Sequence, residues 1–325
     1  LLLVARKMFN NKWMVACLLI GSIIAVAMIS SIPMYTDGVL HRMLIRDLEN
    51  YQKTSRYYPG NLSITGDLYR QYDKNPNGRL KAFKVLNDRL FNEFAPDVGI
   101  SLVNSRTEFS VGYLVGTRER DLDSKEHGLS QYYTITGAYG WEDHVQLVSG
   151  RMPSAEPVDG VYETVITAEA QKYLEVFLNE KYYLKDIISR TDGEYWIKIV
   201  GIVEQEDLSD TYWGATGLAS YNSCLLMDPD LLWRDFTDFD QSLITKCAWE
   251  MNFDYYQYTL DELPNVVEQF ENLQEYFDTN FKNIELKIPS MTILEKCIER
   301  EGQLRTILWV LQMPILIMLA FYIFM

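Results

Sequence analysis

Residues 13–34 read WMVACLLIGSIIAVAMISSIPM, a run of 22 residues without a charged side chain. A helix of this length spans roughly 33 Å at about 1.5 Å per residue, close to the roughly 30 Å of hydrocarbon in a bilayer. A second run, ILWVLQMPILIMLAFYIFM at 307–325, has 19 residues and is equally free of charge. The two runs predict transmembrane helices at 13–35 and 307–325, the second of them truncated.

Between these runs the chain is strongly acidic. This segment holds all 45 acidic and 27 of the 30 basic residues, so it carries −18 against −15 for the whole chain. No nucleic-acid partner is expected, because phosphate binding requires the opposite sign. Arg6, Lys7 and Lys12 place segment 1–12 in the cytoplasm by the positive-inside rule. We expect a multi-pass protein of the cell membrane with residues from about 36 to 305 outside the cytoplasm.

The first run has two other interpretations. Its basic start and Ala25-Val26-Ala27 also resemble a cleaved signal peptide, but the hydrophobic residues continue to Met34, which favours a retained span. A lipoprotein role for Cys17 is disfavoured, because Lys12 leaves almost no apolar stretch before it. The sequence begins with Leu1 and stops inside the second run, so we expect it to be a fragment of a longer chain.

The external segment begins and ends with similar patterns. The first pattern consists of strand 62–64, helix 80–94, which is ended by Pro96, and strand 98–103. The second consists of strand 247–253, helix 263–277 with Asp261 as its N-cap, and strand 284–288. Six short strands lie between them, at 109–115, 132–137, 145–148, 161–167, 195–203 and 223–227, with one helix at 168–177.

These patterns predict an α+β fold: a split, porter-like α/β subdomain of two strand–helix–strand units with an inserted β-rich subdomain, flanked by two transmembrane helices. The predicted segments are 1–12 (cytoplasmic), 13–35 (transmembrane helix 1), 36–108 (stalk and first half of the porter-like subdomain), 109–223 (inserted subdomain), 224–289 (second half), 290–306 (stalk helix) and 307–325 (transmembrane helix 2).

No motif indicates catalysis. The sequence contains no phosphate-binding glycine loop, no G-x-S-x-G and no histidine at metal-ligand spacing, so we expect no catalytic residue, cofactor or metal. Asp235, Asp238 and Asp240 resemble calcium-loop ligands, but Leu243 stands where that loop needs glycine. The acidic loop of Glu204, Glu206, Asp207 and Asp210 could bind a divalent ion or simply be solvated; the second is favoured.

Cysteine and tyrosine allow two interpretations each. Cys224 and Cys247 could form a disulfide, although small buried thiols are favoured in both strands. The four tyrosine doublets, at 57–58, 132–133, 182–183 and 255–256, predict strands or strand ends with one ring in and one out. An aromatic, acidic surface that contacts cationic or amphipathic peptides is the alternative.

A family resemblance rests on several short strings in a fixed order. They are SIPMYTDGVL at 31–40, VSGRMP at 148–153, ETVIT at 163–167, IVGIV at 199–203, DTYW at 210–213 and EREGQLR at 299–305, followed by an apolar helix with Pro314. In this order between two apolar runs, they resemble the MacB-like core domain of FtsX-family ABC transporter permeases. Where many relatives have a Val-Gly-Asp turn, this chain has Asn179-Glu180-Lys181.

The resemblance implies a non-catalytic permease subunit. Its expected partners are a cytoplasmic ABC ATPase subunit, a second permease copy or homologous permease, and membrane lipid. ATP hydrolysis in that ATPase would move the external domain, to export or extract a peptide, lipoprotein or drug-like substrate or to regulate an envelope partner. The alternatives from other classes are the sensing domain of a two-span receptor and a polysaccharide chain-length regulator, which is poorer in strands. Further membrane spans encoded beyond residue 325 would favour the permease.

Six residues are candidates for structural or coupling roles: Gly150, Arg151, Pro153, Gly201, Gly302 and Leu304. The first three form a turn that can hold the arginine against carbonyls or a carboxylate, with ligand binding as the alternative. Gly201 predicts a bulge or a close approach of two backbones. Residues 290–325 should form one helix, in which Gly302 marks either close helix packing or a hinge, and proline at Leu304 should break it.

Overall fold

The computed structural model describes residues 12–73, 75–122, 131–185, 187 and 194–324. Its helices are α1 (Lys12–Ser55), α2 (Leu68–Tyr72), α3 (Pro76–Asp88), α4 (Ala95–Val98), α5 (Ala168–Leu174), α6 (Pro229–Leu232), α7 (Leu263–Asn280) and α8 (Met291–Phe324). Its strands are β1 (Asn61–Asp67), β2 (Leu102–Arg118), β3 (Gln131–Ala138), β4 (Val145–Gly150), β5 (Val161–Thr167), β6 (Lys181–Lys185), β7 (Tyr195–Gln205), β8 (Cys224–Leu226), β9 (Ile244–Phe253) and β10 (Ile284–Lys287).

The strands of the described residues form one mixed sheet of ten. Its order is β10-β1-β9-β2-β3-β8-β5-β7-β4, and β6 pairs with both β2 and β7. Only β3–β8 and β5–β7 pair in parallel among these strands; the other pairs are antiparallel. A large mixed sheet with helices agrees with the predicted α+β class.

The two predicted strand–helix–strand units are interleaved in this sheet. Strand β1 of the first unit lies between β10 and β9 of the second, and β2 lies on the other side of β9. The predicted boundary at residue 108 falls inside β2, whose first part pairs with β9 and whose later part pairs with β3. The β-rich insertion therefore has no sheet of its own, because one long strand continues across its predicted start. The remaining segment boundaries stay a prediction.

An aromatic core covers one face of β9 and β2. The ring of Phe83 on α3 lies 5.7 Å from that of Phe109 and 5.2 Å from that of Trp249. Nearby, Phe94 and Phe270 of α7 both pack on Phe253. Since side chains alternate along a strand, the residues between these aromatics point to the opposite face.

Two helix ends differ from their sequence predictions. The predicted helix end at Pro96 is wrong, because the chain passes through a π-helical turn at Arg89–Phe94 into α4. Pro96 occupies the first turn of α4, where the N–H that proline lacks would have no helical acceptor. Gly99, with φ at 74°, ends this helix instead. The N-cap of α7 is Thr259 rather than the predicted Asp261. The Thr259 hydroxyl accepts a hydrogen bond from the Glu262 N–H and donates one to the Glu262 carboxylate.

Two strands also differ from prediction. Of the predicted strand 98–103 only residues 102–103 are strand, because Val98 belongs to α4 and Gly99 ends it. These two residues and the predicted strand 109–115 are parts of β2, because residues 104–108 pair with β9 and continue the strand. Strand β6 was not predicted. It follows Asn179, whose φ is 67°, and asparagine tolerates this left-handed conformation.

Contacts divide the chain into two compact units. One contains α1 up to Asn50, segment Tyr258–Val267 and α8; the other contains residues 51–257 and 268–290 with all strands of the sheet. Within the first unit, α1 and α8 are joined by an ion pair of 3.1 Å between Asp47 and Arg300.

The terminal helices are long and continuous, as predicted for the stalks. Helix α1 runs 44 residues and ends at Ser55, where Arg56 takes a positive φ of 64°. Within the described residues, no helix combines the length and the hydropathy that a membrane crossing requires. The spans at 13–35 and 307–325 stay a prediction, and segment 1–12 lies outside the described residues except for Lys12.

Candidate functional site

The predicted glycines Gly150 and Gly201 meet directly across β4 and β7. They are register partners, and the Arg151 N–H donates to the Val200 carbonyl at 2.9 Å. A β-carbon added to Gly201 would lie 2.3 Å from the Arg151 carbonyl oxygen, and one on Gly150 would lie 2.2 Å from that of Val200. Only glycine permits this approach, because both obstructing atoms belong to the backbone.

The neighbouring Arg151 fastens the turn to β5. Its Nη1 donates to Glu163 Oε2 at 2.6 Å, its Nη2 donates to the other carboxylate oxygen, and the Ser154 N–H adds a bond of 3.1 Å. Burial opposes ionisation of Glu163, but these donors outweigh it and hold its pKa below the ordinary 4.5. Pro153 lies half-buried between these donors. The arrangement is a clasp that holds the strands together, and a coupling role for it stays a prediction.

The other two predicted residues lie on α8. A β-carbon added to Gly302 would meet open space, with no atom of another described element within 4 Å, and the choice between close helix packing and a hinge at this glycine stays a prediction. Leu304 is partly exposed two residues later. Glu301, one turn before Arg305, pairs with it at 2.7 Å and is buried.

The chemistry-bearing residues elsewhere have structural partners. Cys224, Cys247 and Cys297 are all free thiols, so the disulfide alternative is not formed, and burial raises the pKa of Cys247. Asp238 pairs with Lys84, and Asp210 lies 2.6 Å from His144. No group of three or more potential metal ligands occurs within the part of the chain that the structure describes.

Two of the tyrosine doublets have one buried ring and one exposed ring. Tyr133 and Tyr255 are almost wholly buried, whereas their neighbours Tyr132 and Tyr256 are well exposed. Sheet packing accounts for Tyr132 and Tyr133 on β3, as favoured from the sequence, whereas Tyr255 and Tyr256 lie in a 3₁₀ turn after β9, where their rings stack at 4.3 Å.

The sequence did not predict the main concave site, which is a polar cavity on the face of the sheet opposite the aromatic core. The cavity measures about 1020 Å³. Its floor is a row of register partners, Lys287–Ser63–Glu250–Arg106, followed by a second row, Glu285–Thr65–Ala248–Glu108. Thr65 and Ala248 are short, so the floor is lowest between the longer side chains around them.

Arg106 is the central charge of this site and is only 6% exposed. Its Nη1 donates to the Tyr212 carbonyl at 2.6 Å, and its charge lies 3.6 Å from Glu108 and 3.9 Å from Glu250. Burial opposes its charge, but Tyr221 and the two carboxylates outweigh burial and hold the pKa of Arg106 above its ordinary value. The guanidinium also faces the rings of three aromatics at 5.4–6.0 Å: Tyr212, Trp213 and Tyr221.

The two carboxylates are held differently. Both oxygens of Glu250 accept hydrogen bonds, from Ser63 at 2.7 Å and from Asn61 at 2.8 Å. Glu108 accepts a short bond from the Tyr221 hydroxyl on one oxygen only, among the described residues. Burial raises the pKa of Glu108, and this is only partly offset by Arg106 and Tyr221. Lys246, a diagonal neighbour of Glu108 on β9, offsets a further part of this rise.

Comparison with known proteins adds little to this geometry. No family profile and no curated protein matches the chain. A solved domain from a Porphyromonas gingivalis protein, whose name gives permease as its provisional function, is 12% identical and covers 70% of this chain and 87% of its own, with a TM-score of 0.30. A TM-score this low does not indicate a shared fold.

Proposed function

We propose that this chain is part of an ABC transporter permease, with a sheet domain outside the cytoplasm and α1 and α8 as its membrane anchors. A separate cytoplasmic ABC ATPase would supply the energy, and the paired helices would carry the motion to the external domain. A peptide, a lipoprotein or a drug-like molecule would be the substrate, and a second permease copy would complete the assembly.

The observation that carries the proposal is the contrast along each terminal helix. On α1, Leu40, Leu44 and Leu48 are buried, whereas the large apolar side chains that the structure describes in its first turns are exposed. On α8, Leu294 and Cys297 are buried. Apart from Met43 and Leu304, the exposed large apolar residues described on the two helices all lie in the two charge-free runs: Trp13, Leu19, Ile20, Ile23, Val26, Ile307, Trp309, Val310, Leu311, Met313 and Ile317. Exposed apolar surface of this kind requires a cover, and lipid fits two charge-free runs of bilayer length.

The clasp around Gly201 and Arg151 supports the family part of the proposal. The strings that carry the resemblance fold into contact with one another, because VSGRMP lies against IVGIV and binds ETVIT through Glu163. Their order therefore has a structural reason in this chain. ATPase activity is proposed for the partner only, since this sequence contains no glycine loop to cradle phosphates.

A sensing domain of a two-span receptor is the second candidate. The polar cavity favours it, because a large cavity with buried, preorganised charges is typical of ligand recognition. Both functions share the same membrane anchoring and differ in the cytoplasmic partner.

Cysteine labelling in intact cells tests the anchoring. In a background without the native cysteines, Leu208→Cys places a thiol at a residue that is 91% exposed on the sheet domain. An impermeant maleimide should label it in intact cells, whereas the matched variant Asn11→Cys should label only after lysis. Equal protection of both positions, or labelling of Asn11→Cys alone, would contradict the proposed topology.

Purification of the full-length protein from its native membranes tests the partner. A co-purifying ABC ATPase whose hydrolysis rate changes on removal of this chain supports the permease. A co-purifying kinase or signalling protein supports the receptor instead, and the permease proposal then fails.

A further inference from the structure

A second cavity lies where α2 and α3 meet strands β2 and β9. It measures about 560 Å³. Of the residues that line it, Arg70 alone also lines the polar cavity. The lining combines two arginines, Arg70 and Arg79, with the apolar surfaces of Tyr69, Tyr113 and Leu243. Cavities of this size that join apolar walls to a few charged groups are typical of small-ligand sites.

Arg79 on α3 is a buried charge without a counter-ion. The residue is only 7% exposed. Its Nη2 donates to the Ser242 carbonyl at 3.1 Å, but its Nε is buried without a hydrogen-bond partner, and no described residue forms an ion pair with it. The ring of Tyr69 faces the guanidinium at 5.4 Å and compensates part of its charge. A buried charge that lacks a partner is costly, so an anion beside Arg79 would be stabilising.

The pKa of Arg79 reflects this deficit. Burial lowers the pKa below its ordinary value, and Tyr69 and Asp73 oppose the shift only in part. At Arg106, which is buried to the same degree, Tyr221 and two carboxylates outweigh burial. The difference is a carboxylate at ion-pair distance, which Arg79 lacks among the described residues.

Two tyrosine rings form an apolar wall beside this charge. Tyr113 lies where the register of β2 with β3 shifts between Val111 and Leu114, and its φ is 63°. An aromatic residue seldom adopts a positive φ, and a bulge of this kind re-aims the side chain that it carries. The ring of Tyr113 lies 5.5 Å from that of Tyr69, and both residues are exposed. Exposed aromatic surface next to a buried cation suits a ligand with an apolar body and one anionic group.

The site has an excess of one positive charge. The Arg70 side chain is 74% exposed and pairs with Asp67 at 3.3 Å, so this pair adds no net charge. Arg79 is left as the uncompensated cation, because Asp73 acts on it only from beyond ion-pair distance. A monoanion therefore matches the site. A phosphate dianion would exceed the available charge, and a neutral molecule would leave Arg79 unpaired.

We propose that this cavity binds the carboxylate of a small organic acid, with Arg79 on the carboxylate and Tyr69 and Tyr113 against the apolar part of the acid. A hydrogen bond between a guanidinium and a carboxylate is charge-assisted, and the carboxylate carries the single negative charge that the site lacks. The inference goes beyond the proposed transporter role and does not depend on it, because every residue that lines the cavity belongs to the compact unit that holds the sheet.

Calorimetry with the full-length protein in a non-ionic detergent tests the inference, with benzoate as the probe. Benzoate should bind, and benzamide, which has the same shape without the charge, should bind about tenfold more weakly, the loss of one charge-assisted hydrogen bond. Inorganic phosphate should also bind more weakly than benzoate. Absence of benzoate binding would overturn the inference, and so would benzamide or phosphate binding as tightly as benzoate.

Substitution of Arg79 tests the role of its charge. Arg79→Gln should remove the preference for benzoate over benzamide, whereas Lys81→Gln, which removes the same charge from an exposed position of α3, should leave the preference unchanged. Benzoate should raise the melting temperature of the wild type and of Lys81→Gln but not that of Arg79→Gln. A folded Arg79→Gln protein that retains the preference would overturn the site.

Two further variants keep the test decisive if Arg79→Gln does not fold. Tyr113→Gly relieves the positive φ and removes the ring, so it should fold and should weaken benzoate and benzamide binding alike, about threefold. Arg70→Gln leaves the Asp67 carboxylate unpaired near the cavity, and its repulsion should weaken benzoate binding about threefold without changing benzamide binding. Unchanged benzoate binding in both variants would overturn the site.

Discussion

Removing the Arg151 side chain should show how much the clasp contributes to the stability of the sheet. Glu163 is 2% exposed, and Arg151→Ala would leave its carboxylate with the Ser154 N–H as its remaining donor among those described. A hydrogen bond to a charged group contributes about 1.5–3 kcal/mol. The Arg151 side chain is 55% exposed, so water replaces part of the loss. We expect the free energy of unfolding to fall by about 2 kcal/mol, roughly 30-fold in the folding equilibrium.

The loss should depend on pH with a definite sign. The pKa of Glu163 is lowered in the folded protein, so the carboxylate contributes stability above its unfolded value of 4.5 and loses it as the pH falls through the folded pKa. In Arg151→Ala the burial remains without the guanidinium, which raises that pKa. The stability of the variant then falls as the pH rises through 4.5. The difference between the two proteins should therefore be large at pH 7 and shrink below pH 4.5.

Urea unfolding followed by tryptophan fluorescence at pH 7 and pH 4 measures both effects. Arg151→Lys keeps the charge but not the two-pronged geometry, so it should recover part of the stability. Lys287→Ala is the matched control, because its pair with Glu285 is exposed on both sides and should contribute less than about 1 kcal/mol. An Arg151→Ala protein as stable as the wild type at pH 7, or one equally destabilised at both pH values, would refute the clasp.

Three further results are expected. Gly201→Ala should lower the free energy of unfolding by about 3 kcal/mol in urea, because backbone atoms obstruct the added methyl group. Gly302→Ala should raise it by about 1 kcal/mol in the same assay, because its added methyl group meets open space and alanine favours the helix. Burial raises the pKa of Tyr133 to about 12, so this phenol should contribute about 2 kcal/mol to the fall in wild-type stability between pH 10 and 12, and Tyr133→Phe should lose about that much less when the two are unfolded side by side. Leu304→Pro should break α8 and abolish transport or partner activation while cytoplasmic ATPase assembly survives; retained transport by a well-expressed variant would show that force takes another route.

Much of the sheet could be predicted because its strands carry local signals. Strands β3, β5 and β7 are short, rich in β-branched and aromatic residues, and bounded by turn residues, so their positions follow from pattern alone. The ends of α3–α4 and α7 could not be placed by Pro96 and Asp261. Whether a proline lies in a first turn, or a threonine acts as a cap, depends on where the helix begins. Packing decides where that is.

The clasp could be anticipated in part. A glycine inside the apolar string IVGIV indicates close backbone contact, and a Gly-Arg turn indicates an arginine held by an acceptor. The acceptor itself could not be predicted, since Glu163 lies inside a strand whose other residues are uncharged. An acid in that position has no local partner, and only the pairing of β5 with β7 and of β7 with β4 brings Arg151 to it.

No local sequence pattern predicts the polar cavity. Arg106-x-Glu108-x-Ser110 alternates polar and intervening residues, which indicates a strand with one polar face, and such a face ordinarily meets water. Burial of Arg106 depends on partners more than 100 residues away, because Tyr212 accepts its hydrogen bond and Glu250 lies beside it through the register of β2 with β9. An arginine is buried only where several acceptors and aromatic rings converge on it at once. That convergence is created by strand order, and strand order here joins segments from opposite ends of the chain. A charged residue inside an otherwise regular strand is therefore the signal worth following, since the fold must either expose it or build a site around it.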